Sequence, residues 1–197
     1  MNTPSHLIIT AALDKGLPRV PIHRPAFLWG SIAPDLPLWI LSLGGIIYYR
    51  FILGWSLGDT FNYLFDELYF HNPLWISCHN FLHSPVILGL GIVLVARKRQ
   101  WIGSRQRWLF WFLGACLLHS AIDIFTHADD GPVLLFPLEW SFRFNSPLSY
   151  WDPRHYGREF SRFELVLNGL LLIYLLKTRI KFFWQWGWGA IIRKPTN

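Results

Sequence analysis

The sequence predicts an all-α protein: a membrane-embedded bundle of about four apolar helices, with an interfacial helix and one long irregular loop. Of its 197 residues, 52% are hydrophobic and 15% are charged, whereas about 25% of residues are charged in a typical soluble domain. Four apolar runs are predicted to form the helices. They are shorter than the roughly 20 residues of a membrane span, so a bundle that is only partly embedded in the membrane is an alternative. A single helical membrane domain, residues 1–197, is expected. The runs lie at about 38–53, 81–96, 108–125 and 163–176.

The first part of the chain predicts a short helix and a turn before the first apolar run. Thr3 is a suitable N-cap, with a proline beside it and His6 in the first helical turn. Asp35 lies in a turn bounded by two prolines, so its carboxylate does not compete with helical hydrogen bonds. Two interpretations of Asp35 stay open. It is either a metal ligand or the N-cap of the helix over 38–53.

The other segments connect or flank the apolar helices. Residues 54–76 are mildly acidic with apolar side chains at helical spacing, which predicts an interfacial helix. Residues 128–162 hold four prolines and predict the irregular loop. Basic residues cluster in 97–107 and 177–194 beside apolar runs, which indicates the cytosolic side of a membrane rather than a nucleic-acid surface. The aromatic residues of 182–188 predict a belt at the lipid surface.

Imidazole and carboxylate groups recur at helical spacing on two apolar segments. His119, Asp123 and His127 are four residues apart, so they project from one stripe of a helix, and His79 and His83 form a second i, i+4 pair. Burying a polar group without a partner costs free energy. Binding of one metal ion would compensate this cost for all five side chains at once. The alternative is a set of separate structural histidines, each bonded to a backbone carbonyl.

The predicted topology supports the metal interpretation and raises one conflict. With both basic clusters on one side, the second apolar helix starts and the third ends on the opposite side, so the two motifs meet at one level. Asp35 would then lie on the cytosolic side, away from them. Either the segment 54–76 also crosses or re-enters the membrane, or Asp35 is not a ligand.

Two further groups of charged residues follow the second motif. Asp129 and Asp130 are expected to act as a catalytic base or to orient a ligand, with solvation of the helix end as the alternative. Arg143, Arg154 and Arg158 are expected to bind an anionic phosphate, with simple solvation as the alternative.

The chain resembles the bacterial membrane-bound, metal-dependent hydrolase family, the LexA-regulated inner-membrane hydrolase group. The resemblance covers residues 3 to about 137, and this chain has Asn80 and Leu82 where the family usually has Arg and Thr. More loosely, the order of its His and Asp residues is similar to that of zinc-dependent phospholipases C. The family implies a helical membrane protein and a metal-assisted hydrolysis. The matching motifs are Thr3-Pro4-Ser5-His6, Ala33-Pro34-Asp35-Leu36, His79-Asn80-Phe81-Leu82-His83-Ser84 and Leu118-His119-Ser120-Ala121-Ile122-Asp123.

These observations predict a multi-pass protein of the bacterial inner (plasma) membrane, whose partners are the lipid bilayer and a phospholipid or phosphoester substrate rather than nucleic acid. A divalent metal would activate water for hydrolysis. The alternative is a non-enzymatic membrane protein with a structural or transported metal, and a third interpretation is a scaffold with isolated histidines. A ligand set of N and O atoms suits Zn²⁺, with Mn²⁺ or Fe as alternatives. The predicted metal ligands are His6, Asp35, His79, His83, His119, Asp123 and His127.

Overall fold

The computed structural model describes the backbone of residues 1–97 and 104–192, and the side chains of residues 1–97 and 105–177. The fold is all-helical, with 71% helix and no strand among the described residues, so the predicted all-α class is confirmed. Two of the helices continue directly as π-helices. The elements are α1 (Thr3–Gly16), α2 (Arg24–Gly30), α3 (Leu36–Gly45) with a π-helix (Ile46–Ile52), α4 (Leu57–Asn62) with a π-helix (Tyr63–Leu68), α5 (Tyr69–His71), α6 (Pro73–Asn80), α7 (Pro85–Arg97), α8 (Ser104–Thr126), a 3₁₀ turn (Pro153–His155) and α9 (Gly157–Ile192).

Helix α8 is the central element, because α2 and α7 both pack against it. The contact with α2 is unusually close at Gly30. A Cβ atom at this glycine would lie 2.8 Å from Cβ of Ala115 and closer still to the backbone oxygen of Phe112. Only a residue without a side chain therefore allows this approach of the two helices. Helix α1 packs against α9 and also contacts α2.

The structure supports fewer membrane crossings than the sequence predicts. Within the described residues, the stretch Arg105–Thr126 of α8 is long and apolar enough to cross a bilayer on its own. Helices α6 and α7 pass the same test only as a pair, bent by 43° at the break between them. The first predicted run forms a shorter apolar helix, Leu36–Ile52. For the part of the chain that the structure describes, length and composition thus support one or two crossings, and the four-helix membrane bundle is not confirmed.

The predicted interfacial helix over 54–76 is wrong as a single element. The segment forms α4, its π-helix and α5, and then breaks at Asn72, whose side chain accepts a hydrogen bond of 3.0 Å from the backbone nitrogen of Leu74. Pro73 follows in the first turn of α6, where the lack of an N–H costs nothing. Tyr69 and Trp75 pack with Leu64 against α3, so this segment is part of the core.

The loop after α8 is ordered by contacts with the end of that helix. The backbone nitrogen of Tyr150 donates to the backbone oxygen of Thr126 at 2.8 Å, and that of Ser146 donates to Ala128 at 2.9 Å. The loop is shorter than predicted, since α9 begins at Gly157. The side chains of the predicted aromatic belt, 182–188, lie outside the described part of the chain, as do the side chains of the basic residues Lys98, Arg99, Arg179, Lys181, Arg193 and Lys194.

Candidate metal centre

Four buried or nearly buried side chains from different parts of the chain converge on one point. Nε2 of His119 lies 3.3 Å from Oδ1 of Asp35 and 3.0 Å from Oδ2 of Asp123. Nε2 of His83 lies 3.6 Å from each of the same two oxygens. All four atoms lie within 4.8 Å of one another. Ligands at about 2.0 Å from a tetrahedral metal are separated by about 3.3 Å, so the spacing fits a metal site.

Backbone carbonyls orient both histidines of this group. Nδ1 of His83 donates to the backbone oxygen of His79, and Nδ1 of His119 donates to that of Ser31, each at 2.8 Å. A carbonyl oxygen only accepts, so each Nδ1 carries a proton, and each Nε2 faces the centre, where a metal ion would take the place of a second ring proton. Neither Nε2 has an aligned hydrogen-bond partner, although the carboxylate oxygens are near. This is the arrangement of metal-binding histidines.

The two carboxylates are held by their other oxygens. Thr3 donates from its hydroxyl to Oδ2 of Asp35, and the amino nitrogen of Met1 donates to Oδ1 of Asp123 at 2.7 Å. Burial alone would raise the pKa of Asp35, but the imidazoles of His119 and His83 outweigh it and hold that pKa below its usual range. With a metal ion in place of the Nε2 protons, the two charged carboxylates and two neutral imidazoles would carry a formal charge of −2, which a divalent cation would balance.

The packing of α2 on α8 resolves the conflict over Asp35. The turn after α2 lies beside the middle of α8, and this brings Asp35 to the same centre as His119 and Asp123. The expectation that its place before the first apolar run would separate it from the other residues is wrong. Asp35 does occupy the position before α3, but its side chain makes no cap hydrogen bond.

The motif of His79 and His83 does not lie on one helix as predicted. His79 is on α6, whereas His83 is in the turn before α7. His79 lies next to the four-atom group rather than in it: its ring centroid is 4.2 Å from that of His83, and its Nε2 is 3.0 Å from the Tyr69 hydroxyl. The Tyr69 hydroxyl donates to the backbone oxygen of Asp130 at 2.7 Å, so Nε2 of His79 is the donor to the Tyr69 oxygen.

His6 and His127 lie on the far side of Asp123. The His6 ring is buried and stacks on the His119 ring, with 3.7 Å between centroids. Its Nε2 lies 2.9 Å from Oδ1 of Asp123. His127, one residue beyond the end of α8, places Nε2 at 3.7 Å from the same oxygen. Both predicted ligands therefore lie near Asp123, on the oxygen that does not face the four-atom group.

A family model described as YdjM inner membrane protein matches residues 1–191. The match spans nearly the whole chain, including every residue of the site. The chain belongs to the YdjM inner membrane protein family. Comparison with curated proteins and with solved structures returns no match. Membership in the YdjM family confirms the inner-membrane part of the resemblance, while hydrolysis and the likeness to phospholipases C remain hypotheses.

In this YdjM chain, the site opens into a cavity of about 590 Å³. Its polar lining residues include Asp129 and Asp130, both of the predicted catalytic carboxylates. Apolar side chains of α3 and of the segment before α6 also line it. The apolar lining residues are Leu38, Trp39, Phe65 and Phe70.

The three predicted phosphate-binding arginines have different surroundings. Arg154 lines the cavity and pairs with Asp152 at 2.8 Å. The Arg143 guanidinium lies 5.1 Å from the ring centroid of Tyr69 and donates to a backbone oxygen in the loop. Arg158 is exposed on α9. The structure thus brings Arg154 to the cavity mouth and does not place the other two among the cavity-lining residues.

Sequence reasoning missed several residues that position the site. Thr3 was expected to cap α1, but its hydroxyl donates to Asp35. The buried Glu164 of α9 accepts from the backbone nitrogen of Asn2 at 2.9 Å and from its side chain at 2.7 Å, which fixes the start of α1. The sequence offered one indication of this contact, because Glu164 is a charged residue within an apolar run. The sequence could not indicate the contact of His119 with the backbone carbonyl of Ser31, because every residue type has a backbone carbonyl.

Proposed function

We propose that this protein is a metal-dependent hydrolase of the inner membrane, with its metal held by Asp35, His83, His119 and Asp123. The observation that carries the proposal is the convergence of two buried imidazole Nε2 atoms, without aligned hydrogen-bond partners, on two carboxylate oxygens. Two imidazoles and two carboxylates without a thiolate suit Zn²⁺, with Mn²⁺ or Fe as alternatives. Cys78 and Cys116, the two cysteines of the chain, are not in the group.

A divalent cation held by these four residues would lower the pKa of a bound water molecule and polarise the bond to be cleaved. The remaining chemistry belongs to side chains of the cavity. Asp129 is exposed on the cavity wall and accepts the proton of the attacking water. Asp130 acts as a positioning residue, because Oδ2 accepts from Trp151 at 2.8 Å and Oδ1 lies 3.1 Å from Nδ1 of His127. A water oxygen bonds to phosphorus, and the phosphorus–oxygen bond to the leaving group breaks.

The cavity favours a phosphoester with an apolar part as the substrate. Arg154, which also pairs with Asp152, offers a cation to the cavity, and Trp39 offers an apolar surface. Trp39 is also 54% exposed, and α3 continues from it with further exposed apolar side chains. A lipid chain in the bilayer can follow this surface to the site, which favours a phospholipid over a soluble phosphoester. The exposed residues that continue this surface are Ile40, Leu43, Ile47 and Phe51.

The experiment combines metal analysis with turnover. The full chain is purified in detergent, reconstituted with Zn²⁺ and assayed by elemental analysis and with two phosphodiesters, a bilayer phospholipid and bis(p-nitrophenyl) phosphate. We expect His83→Ala and Asp35→Ala to lose both metal and turnover. The exposed His71 provides the control, and His71→Ala should retain both.

Two outcomes would contradict the proposal. Metal binding without turnover of either phosphodiester would indicate a structural or transported metal, the non-enzymatic alternative. Absence of bound metal in a folded wild-type protein would indicate that protonated histidines, and no metal ion, hold the two carboxylates together.

A further inference from the structure

We infer that the protein contacts the anionic head groups of the cytoplasmic leaflet through one basic surface, the basic end, and that the candidate metal centre therefore opens at the periplasmic face of the inner membrane. This orientation does not depend on the proposed function, whereas its consequence for the substrate does. The basic end consists of Lys15, Arg19, Arg24, Arg97, Arg105, Arg107 and Lys177.

Helices α7 and α8 bring the first part of the basic end together. The two helices pack against each other, and the Ser120 hydroxyl in the second half of α8 donates to the backbone oxygen of His83, just before α7 begins. Helix α7 therefore runs antiparallel to α8. Its last residue, Arg97, lies level with the first turns of α8, which carry Arg105 and Arg107.

The connection between α1 and α2 reaches the same end. The rings of Phe27 on α2 and Trp111 in the first half of α8 are 5.6 Å apart, so α2 begins beside the start of α8. Nε of Arg24, the first residue of α2, lies 2.6 Å from Oδ2 of Asp14, near the end of α1. Arg19 lies in the short connection between these two helices.

Helix α9 adds the last member of the basic end. Nζ of Lys15, at the end of α1, donates to the backbone oxygens of Tyr174 and Leu175, each at 2.8 Å. Lys177 follows, with Nζ 4.6 Å from the ring centroid of Tyr174. Glu164, near the start of α9, holds the start of α1. Both helices thus run from the end with the metal centre to the basic end.

The basic end has an excess of cations next to an apolar surface. In the part of the chain that the structure describes, Asp14 is the carboxylate at this end, and it pairs with Arg24. Exposed apolar side chains border the cations, among them Leu94, Leu109 and Ile173. Cations beside a lipid-facing surface are typical of the cytoplasmic side of a membrane, where they contact anionic head groups. The exposed cations without an ion pair among the described residues are Arg19, Arg97, Arg105, Arg107 and Lys177.

The opposite end of the helices has fewer free cations. Arg154 pairs with Asp152 at 2.8 Å, and Arg143 donates to a backbone oxygen in the loop. Within the described residues, this leaves Arg158 and Arg162, at the start of α9, as exposed cations without an ion pair. The side of a membrane protein with more Lys and Arg near its spans faces the cytosol. The asymmetry therefore favours the basic end as the cytoplasmic side.

The metal centre lies far from the basic end along α8. At a rise of 1.5 Å per residue, Arg105 and His119 are separated by about 21 Å, and the hydrocarbon core of a bilayer is about 30 Å thick. With Arg105 at the cytoplasmic surface, the centre lies in the periplasmic half. Asp129 and Asp130, which line the cavity, follow the end of α8 at the periplasmic surface. If the proposed hydrolysis holds, its substrate is a phospholipid of the periplasmic leaflet.

Cysteine labelling of the full chain tests the orientation. Cys78 and Cys116 are replaced by alanine, and one cysteine is introduced at Val20, between α1 and α2, or at Leu138, in the loop after α8, both of which are exposed. Spheroplasts of a bacterial expression host are treated with a membrane-impermeant maleimide before or after lysis. We expect Leu138→Cys to be labelled to the same extent in both samples, and Val20→Cys to be labelled only after lysis.

Labelling of Val20→Cys in intact spheroplasts, or of Leu138→Cys only after lysis, would overturn the inference. A second measurement needs no substitution. Right-side-out vesicles with the wild-type protein should hydrolyse external bis(p-nitrophenyl) phosphate, and inverted vesicles should do so only after permeabilisation. The reverse preference would also overturn the inference.

The two proposals fail separately. The expected labelling without turnover retains the orientation alone. The reverse labelling with metal-dependent turnover retains the proposed function and places the site at the cytoplasmic face.

Discussion

Nδ1 of His119 donates a hydrogen bond of 2.8 Å to the backbone oxygen of Ser31, across a separation of 88 residues. This bond joins the middle of α8 to the turn after α2, and it sets the direction in which the imidazole presents Nε2. Asp35 follows in the same turn and completes the group. A single backbone contact thus couples the packing of two helices to the geometry of the candidate metal centre.

We predict that Gly30→Ala separates α2 from α8 and weakens metal binding at a distance. The added methyl group would clash with backbone and with Ala115, which overpacks the interface and typically destabilises a protein by about 1–3 kcal/mol. The Zn²⁺ affinity and the thermal midpoint should both fall. Gly114→Ala is the matched control, since a Cβ there meets nothing within 4 Å, and it should leave both unchanged or improved.

A second prediction concerns Thr3. Thr3→Val retains the shape of the side chain but removes the hydroxyl that donates to Asp35. Loss of such an outer partner typically reduces metal affinity by about 10–100-fold. Thr3→Ser keeps the hydroxyl and should retain most of the affinity in a Zn²⁺ titration with a competing chelator. Equal affinities of the two variants would show that Thr3 does not orient Asp35.

Asn80→Ala should destabilise the protein with little direct effect on the metal ligands. Oδ1 of Asn80 accepts from the backbone nitrogen of Val133 at 2.7 Å, and its amide donates to Ile76 at 2.8 Å. A buried donor left without a partner costs about 1–3 kcal/mol. The measurement is the denaturation midpoint, with Asn62→Ala on the exposed face of α4 as the control. An unchanged midpoint would contradict the structural role assigned to Asn80.

Removal of metal should lower thermal stability. A ligand that binds only the folded state stabilises it by about 2.7 kcal/mol at 100 times its Kd. Dialysis against a chelator should therefore reduce the thermal midpoint of the wild-type protein, and added Zn²⁺ should restore it. Asp35→Ala lacks one ligand of the centre, so its midpoint should respond much less to either treatment. A wild-type midpoint that is insensitive to both would count against any bound metal.

Trp39 should distinguish a lipid substrate from a soluble one. It lines the cavity and continues into the exposed apolar surface of α3. We expect Trp39→Ala to raise KM for a bilayer phospholipid several-fold, while turnover of bis(p-nitrophenyl) phosphate stays near the wild-type value. The exposed Trp29 of α2 supplies the control, and Trp29→Ala should affect neither. Equal losses on both substrates would indicate that Trp39 supports the site rather than a lipid chain.

Local patterns predicted the part of the site that lies on one helix. His119 and Asp123 are four residues apart on α8, and helical geometry alone places them on one stripe. The same argument misplaced His83, because the turn at 81–84 separates α6 from α7 and sends its side chain inward from a non-helical backbone. A spacing of four residues predicts that two side chains point in the same direction only where the backbone between them is helical.

The sequence by itself determined the all-α class, the membrane-leaning composition and the candidate ligand types, since these follow from hydropathy, periodicity and the chemistry of His and Asp. Tertiary structure alone decided that Asp35 joins His83, His119 and Asp123. That meeting depends on the contact at Gly30, on carbonyl hydrogen bonds that any residue type could accept, and on the hydroxyl of Thr3. Such contacts link residues far apart in the chain, so no local pattern encodes them.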